Sequence, residues 1–184
     1  LTDVKCKEDI EQMIEDLFND TSIDYSVRET HDYTMTLPKD FWDSGSYNKW
    51  IRVGWALKNT NKNLILTWLL FCSQSSEFDF ETTDVLDYWE QFDMCNKEGL
   101  TSRSIMYWSK MYNYEEYNKI YQKTINYHIF YSFRNNTEYD LANTLYQMNK
   151  SHYVCISIKD NIWYEFLNNR WYSIDSGTTL RSKI

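Results

Sequence analysis

The hydrophobic spacing of this chain changes period once, and that change fixes the fold class. Up to about residue 148 the apolar residues recur at three- and four-residue intervals, the spacing that puts them on one face of a helix. Residues 5–18 carry Ile10, Met13, Ile14, Leu17 and Phe18, and residues 47–58 carry Tyr47, Trp50, Ile51, Gly54 and Leu57. From Tyr153 the period is two: Val154, Ile156 and Ile158 alternate, and the short aromatic and β-branched runs 162–167 and 170–174 follow. Lys159-Asp160-Asn161 and Asn168-Asn169 suit tight hairpin connections, because Asn and Asp tolerate positive φ. The expected fold is α+β, mainly a helical bundle followed by a small three-stranded antiparallel meander with flanking helices. Gly177 ends the meander, and Leu180–Ile184 begins a further helix.

Within the helical part, Ser46 stands at an N-cap position and Asn59 where the helix of residues 47–58 stops. Gly54 interrupts the large residues of that face, so a neighbouring helix is expected to approach there. Leu64–Ser73 is apolar nearly all round, as in a helix buried inside a bundle. A helix starting near Thr82 or Thr83 carries Val85, Leu86, Trp89 and Phe92. Thr101 caps the next, with Ile105, Trp108, Met111 and Tyr112 as its stripe. A longer helix runs to about Phe133, with Tyr117, Tyr121, His128 and Tyr131 on one side and a Glu115 to Lys119 pair. Thr137 to Asp140 resembles a capping box opening a helix through Leu141, Ala142, Leu145 and Met148. Asn19 to Pro38 shows no clean period and reads as a connector, with one extended piece at Tyr33–Leu37.

Several function classes are disfavoured. No run of about 18 apolar residues occurs, so no membrane contact is expected. With 4 Gly in 184 residues there is no GxxxxGK[ST] or GxGxxG loop, and nucleotide hydrolysis within the chain is improbable. Cys6, Cys72, Cys95 and Cys155 lie far apart, and His31, His128 and His152 stand alone, so neither a disulfide framework nor a metal site is indicated. No metal or catalytic residue is assigned. No signal peptide is visible ahead of Leu1, which gives the chain the look of an excised, intracellular piece. Its net charge of -8 is concentrated at the start, where residues 1–32 hold 10 acids and 3 bases. The rest is nearly neutral, without the basic footprint of a strong autonomous nucleic-acid binder.

Three clusters carry candidate chemistry. Glu77-Phe78-Asp79-Phe80-Glu81 alternates carboxylates, as two-metal nucleotidyl-transfer sites do, and Asp79 and Glu81 would be the ligands. A Ser-rich loop before it and a helix start after it favour the plainer reading, acids interacting with a helix dipole. The two helices around Gly99 match a helix-turn-helix with Ser102, Arg103 and Ser104 near its recognition helix, although bundle packing explains them as well. Arg134, Lys150, Lys159, Arg170, Arg181 and Lys183 make the C-terminal part mildly basic, with Trp163, Tyr164, Trp171 and Tyr172 as stacking surfaces.

A run of motifs points further. Trp50-Ile51-Arg52-Val53-Gly54-Trp55-Ala56-Leu57, Trp68 with Phe71-Cys72-Ser73-Gln74-Ser75-Ser76-Glu77-Phe78-Asp79, Trp89-Glu90-Gln91-Phe92 and Leu100 to Lys110 resemble the helical primase C-terminal domain of type two. That domain occurs in primase–helicases of nucleocytoplasmic large DNA viruses. Thr137 to Ala142, Tyr153 to Ile156, Ile162 to Phe166, Arg170-Trp171 and Leu180 to Ile184 are similar to the start of the segment preceding the superfamily-three helicase in poxvirus-type members. The resemblance implies an acidic leader or connector at 1–38, a helical primase C-terminal-type domain at 39–134 and the start of a pre-helicase module at 135–184. It implies a non-catalytic segment, without a cofactor of its own, between the primase and helicase domains of one polypeptide at a viral replication site. The parent would be a hexameric helicase using ATP and Mg. DNA contact would fall to Arg52, Arg103, Lys110, Arg170, Arg181 and Lys183; a protein-interaction or oligomerisation module without DNA contact is the alternative.

Overall fold

The computed structural model describes residues 4–80, 84–92 and 99–183 and divides into two compact units, residues 1–121 and 122–184. The fold is α+β, as the change of period predicts.

The first unit is helical. α1 (Lys7–Asn19) and α2 (Tyr25–Met35) are followed by a short 3₁₀ turn, α3 (Tyr47–Thr60), α4 (Ile65–Cys72), α5 (Asp84–Gln91), α6 (Ser102–Tyr112) and the first turns of α7 (Tyr114–Asn135). α4 is buried on every side from Leu66 to Cys72 and packs on α1, α2, α3 and α5. One core cluster gathers Trp68, Phe71, Leu57, Val53, Tyr33, Ile105, Trp89 and Phe92 around it. A second joins Ile10 and Ile14 of α1 to Leu66, Leu69 and Leu70. Aromatic rings supply much of the first cluster: Trp68 lies 4.7 Å from Trp50, 5.9 Å from Phe92 and 6.2 Å from Phe71, centroid to centroid. Such tilted, edge-on and stacked pairs add to the area they bury.

Residues 19–38 depart from the expected connector. Tyr25–Met35 is a helix, and no strand lies at Tyr33–Leu37. Its inward residues are Val27, Glu29, Thr30, Tyr33 and Thr34, so the apolar period is faint in sequence. The Thr30 and Thr34 hydroxyls donate to the carbonyls of Ser26 and Thr30, both at 2.7 Å, which lets them sit inside without orphaned polar groups. Asp24 caps the helix by accepting from the Ser26 amide at 2.7 Å.

Other details are corrected too. The buried face of α3 is broader than expected, Ile51, Val53, Gly54, Ala56 and Leu57, while Tyr47 is 56% exposed. α3 runs to Thr60 and closes at Asn61, and Ser46 holds its cap position without a side-chain bond. Gly54 admits rings rather than a helix backbone: a Cβ there would lie 2.5 Å from Phe92 and 3.0 Å from Trp68. On α6 the buried stripe is Ile105, Trp108 and Ser109, and Met111 and Tyr112 face outward at 62% and 53% exposure. The Ser109 hydroxyl bonds that of Thr36 at 2.7 Å, which accounts for a serine in the core. On α7, Lys119 pairs with Glu116 rather than Glu115. The start of α5 at Thr82 or Thr83 lies outside the described residues.

The second unit contains the rest of α7, α8 (Glu138–Asn149), strands β1 (Tyr153–Ser157), β2 (Ile162–Leu167) and β3 (Arg170–Asp175), and the short helix α9 (Thr178–Arg181). The sheet is an antiparallel meander in the order β1-β2-β3. Asn161, Asn168 and Asn169 take positive φ at the two connections, as Asn was expected to. Thr137 accepts from the Asp140 amide at 3.1 Å and opens α8. Tyr153, Glu165 and Tyr172 share one sheet face by register, and Val154, Tyr164 and Ser173 the other.

Candidate nucleic-acid interface

Of the candidate cations, Arg52, Arg103 and Lys110 lie in the first unit, on two helices that pack on each other, α3 and α6. Neither helix contains an acid, yet together they carry Lys49, Arg52, Lys58, Arg103 and Lys110. This matters because the unit as a whole is strongly acidic, with 22 Asp and Glu against 12 Lys and Arg over residues 1–121.

The five cations divide by what they touch. Lys58 reaches the end of α5, donating to the carbonyls of Trp89 and Glu90, where a helix leaves such oxygens without internal partners. Lys49 lies over the rings of Phe41 and Tyr112, 5.0 and 5.2 Å from their centroids, with Asp40 at 3.7 Å. Arg52 rests on Trp108, 5.4 Å from the ring centroid, and Lys110 on Tyr117 at 5.6 Å. Cation–π contact of this kind holds a long side chain in place while leaving its charge exposed. Among the described residues, none of Arg52, Arg103 and Lys110 has a carboxylate within ion-pair distance. Their charges face solvent.

Sequence periodicity assigned Met111 and Tyr112 to packing and left Tyr107 unremarked, although Tyr107 is 59% exposed. The available signal was its place in the helix: Arg103, Tyr107 and Lys110 follow one another at four- and three-residue steps and therefore share a face.

Arg170, Arg181 and Lys183 belong to the second unit. Arg170 opens β3 opposite Leu167 and is exposed, as is Arg181 on α9. Lys183, itself exposed, is engaged by a buried carboxylate. Its ammonium donates to the Tyr153 hydroxyl at 2.6 Å and to the buried Glu165 carboxylate at 3.2 Å. Glu165 also accepts from the hydroxyls of Tyr153 at 2.6 Å and Thr179 at 2.8 Å. These bonds hold its carboxyl below the usual range, while Tyr153 and Glu165 hold the Lys183 ammonium above its own. The cluster ties the residues around α9 to the sheet.

In the acidic run, Phe78 and Phe80 pack inward on the two core clusters, 4.8 Å apart and edge to face. Glu77 and Asp79 lie on the surface between them, so the alternation follows from burying the rings; Glu81 lies outside the described residues. No group of three His, Cys, Asp or Glu that could hold a metal occurs among the described residues. α6 packs on α2 and α3, and α5 on α4, which is bundle packing rather than a helix-turn-helix corner.

Comparison with known families bears on this same region. Residues 30–109 match the model of the Primase C terminal 2 (PriCT-2) family. The matched stretch runs from within α2 to Ser109 in the last turn of α6 and includes all of α3 and α4. It supports a primase-related, replication-associated assignment and is compatible with a non-catalytic segment of a primase. No curated protein matches the chain.

Proposed function

We propose that this chain is a non-catalytic linker segment of a DNA primase–helicase of the large-DNA-virus type, positioning the helicase and touching DNA as it does so. The observation that carries the reading is the match of residues 30–109 to the primase C-terminal family. The order of the motifs, from Trp50 through Trp171 to Leu180, extends it toward a helicase-bearing parent that uses ATP and Mg, works as a hexamer and acts at a viral replication site inside the host cell. Segments 1–38, 39–134 and 135–184 then correspond to a leader, the helical domain and the start of the pre-helicase module. DNA contact falls to Arg52, Arg103 and Lys110 in the first unit and Arg170 and Arg181 in the second.

Two experiments test the reading. The gene's reading frame downstream of Ile184 should encode a GxxxxGK[ST] loop, and an uninterrupted frame without one contradicts a helicase parent. A salt titration of DNA binding by the chain should show affinity falling as salt rises. A second reading is favoured by the charge balance of residues 1–121: a protein-interaction module that recognises replication partners without DNA contact. Failure to bind any DNA at low salt selects it.

A further inference from the structure

The α3–α6 surface specifies more than a generic DNA contact. Arg103, Tyr107 and Lys110 form a cation–aromatic–cation stripe on the outward face of α6, about 10 Å long at 1.5 Å per residue. Tyr112 at the end of α6 and Tyr114 at the start of α7 are also exposed, at 53% and 58%. The Tyr112 ring is braced edge-on against Phe41, 5.1 Å away, and by the Lys49 ammonium on its face. On α3, Arg52 is held on the Trp108 ring of α6. A duplex buries its base faces in its own stack, so it would use the cations and leave the rings idle. A single strand uses both, with phosphates beside the cations and unstacked bases on the tyrosines. α3 and α6 themselves contain no acid, so repulsion of a strand is least along these two helices, with Asp40 beside Lys49 and Glu115 and Glu116 at the start of α7 as the flanking acids.

We propose that the outer surface of α3 and α6 binds single-stranded nucleic acid, with Tyr107 as a base-stacking platform and Arg52, Arg103 and Lys110 as phosphate contacts. This rests on the DNA-contact part of the function proposed above and narrows it to one face and one form of the nucleic acid.

The test is fluorescence anisotropy with a labelled mixed-sequence single-stranded oligodeoxynucleotide, its duplex and the corresponding RNA single strand, using the full chain. Both single strands should bind more tightly than the duplex, and whichever of the two binds tighter names the natural source. Tyr107→Ala should weaken single-strand binding on the order of 5- to 100-fold, the range of one lost base stack. Tyr107→Phe should restore it, and Tyr139→Ala, at an exposed ring of α8, should leave it unchanged. The Arg103→Ala, Lys110→Ala double variant should reduce the salt slope by about 1.4. Helical circular dichroism of each variant, expected to match the parent, excludes misfolding as the cause. Preference for the duplex, or indifference to Tyr107→Ala, overturns the single-strand proposal. Binding that ignores all three α6 substitutions yet falls with Arg170→Ala and Arg181→Ala overturns the surface and leaves the DNA-contact function standing. No binding of any probe at low salt overturns both.

Discussion

The two units of this chain are held together by different physics. Residues 1–121 bury a continuous apolar interior, with Trp68, Phe71, Leu57, Leu64, Val53 and Ile105 all fully inside. In residues 122–184 the buried side chains among the described residues are Thr124, Ser132, Thr144, Glu165 and Tyr153, four polar groups and one phenol. There Glu165 accepts from three side chains and serves as the hub. The charges differ as well. The first unit has 10 more acids than bases, and the second has 2 more bases than acids. A unit that buries little apolar surface gains little from the hydrophobic effect and depends on satisfied hydrogen bonds. The second unit also shows water Ile156, Ile158, Phe133 and Trp171 at 65%, 90%, 81% and 48% exposure. Stability should therefore respond to core volume in one unit and to pH in the other.

The largest effect belongs to the first unit. Trp68→Ala removes the ring at the centre of its aromatic cluster and should cost about 3–5 kcal/mol, read from urea unfolding followed by helical circular dichroism. A cost below about 1 kcal/mol would break the contrast, since it would mean that this core is not the first unit's main support.

A smaller effect is expected at Gly54. In an unconstrained helix Gly→Ala is stabilising by roughly 0.5–1 kcal/mol. Here the added methyl meets Phe92, so Gly54→Ala should destabilise by about 1–3 kcal/mol. Phe92→Leu in the same chain should recover part of the loss, and independent, additive costs would show that the ring is not the obstacle.

The second unit should reveal itself by titration. The Glu165 carboxyl is held down by Tyr153 and Thr179, so its contribution is present above about pH 4.3 and is lost as pH falls through the folded value. The Lys183 ammonium is held up by Tyr153 and Glu165, so its contribution is present below about pH 10.4 and is lost above it. Protection of the β1 to β3 amides against exchange, taken relative to the intrinsic rate at each pH, should be flat between these limits and fall outside them. Glu165→Gln should flatten the acid limb. Two buried groups of the first unit behave otherwise. Burial pushes up both the Tyr33 phenol and the Cys72 thiol, so these two weaken that unit only as pH rises. An acid limb in the strands that survives Glu165→Gln would sink the assignment of Glu165 as hub.

The same difference explains what was legible in the sequence. α1, α3, α4 and α6 announce themselves by apolar residues at helical spacing, and the meander by period two with Asn at its turns. α2 stayed hidden because its buried face is made of Thr30, Thr34, Glu29 and Tyr33, and the Thr30 and Thr34 hydroxyls find their acceptors, the carbonyls of Ser26 and Thr30, only once the helix exists. The Glu165 hub was illegible for a related reason: Tyr153, Thr179 and Lys183 are brought to it by strand register and by α9, and no local spacing encodes that. At the candidate interface, Arg52, Arg103 and Lys110 could be named from the sequence, Arg103 by its place near the start of α6. The exposure of Tyr107 and Tyr112 needed the packing of α6, since aromatic residues at helical spacing look the same whether they face the core or the water.

The comparison also bears on function, because exposed candidate cations occur in both units. Counterion release gives a slope of about −0.7 in log affinity against log salt for each phosphate neutralised on a single strand. If Arg52, Arg103 and Lys110 make the contact, single-stranded DNA binding by the intact chain should have a slope of about −2, falling toward −1.4 in Arg52→Ala. A slope near −3.5 would bring in Arg170 and Arg181 as well. Binding with no salt dependence, or no binding at the lowest salt, would contradict the account.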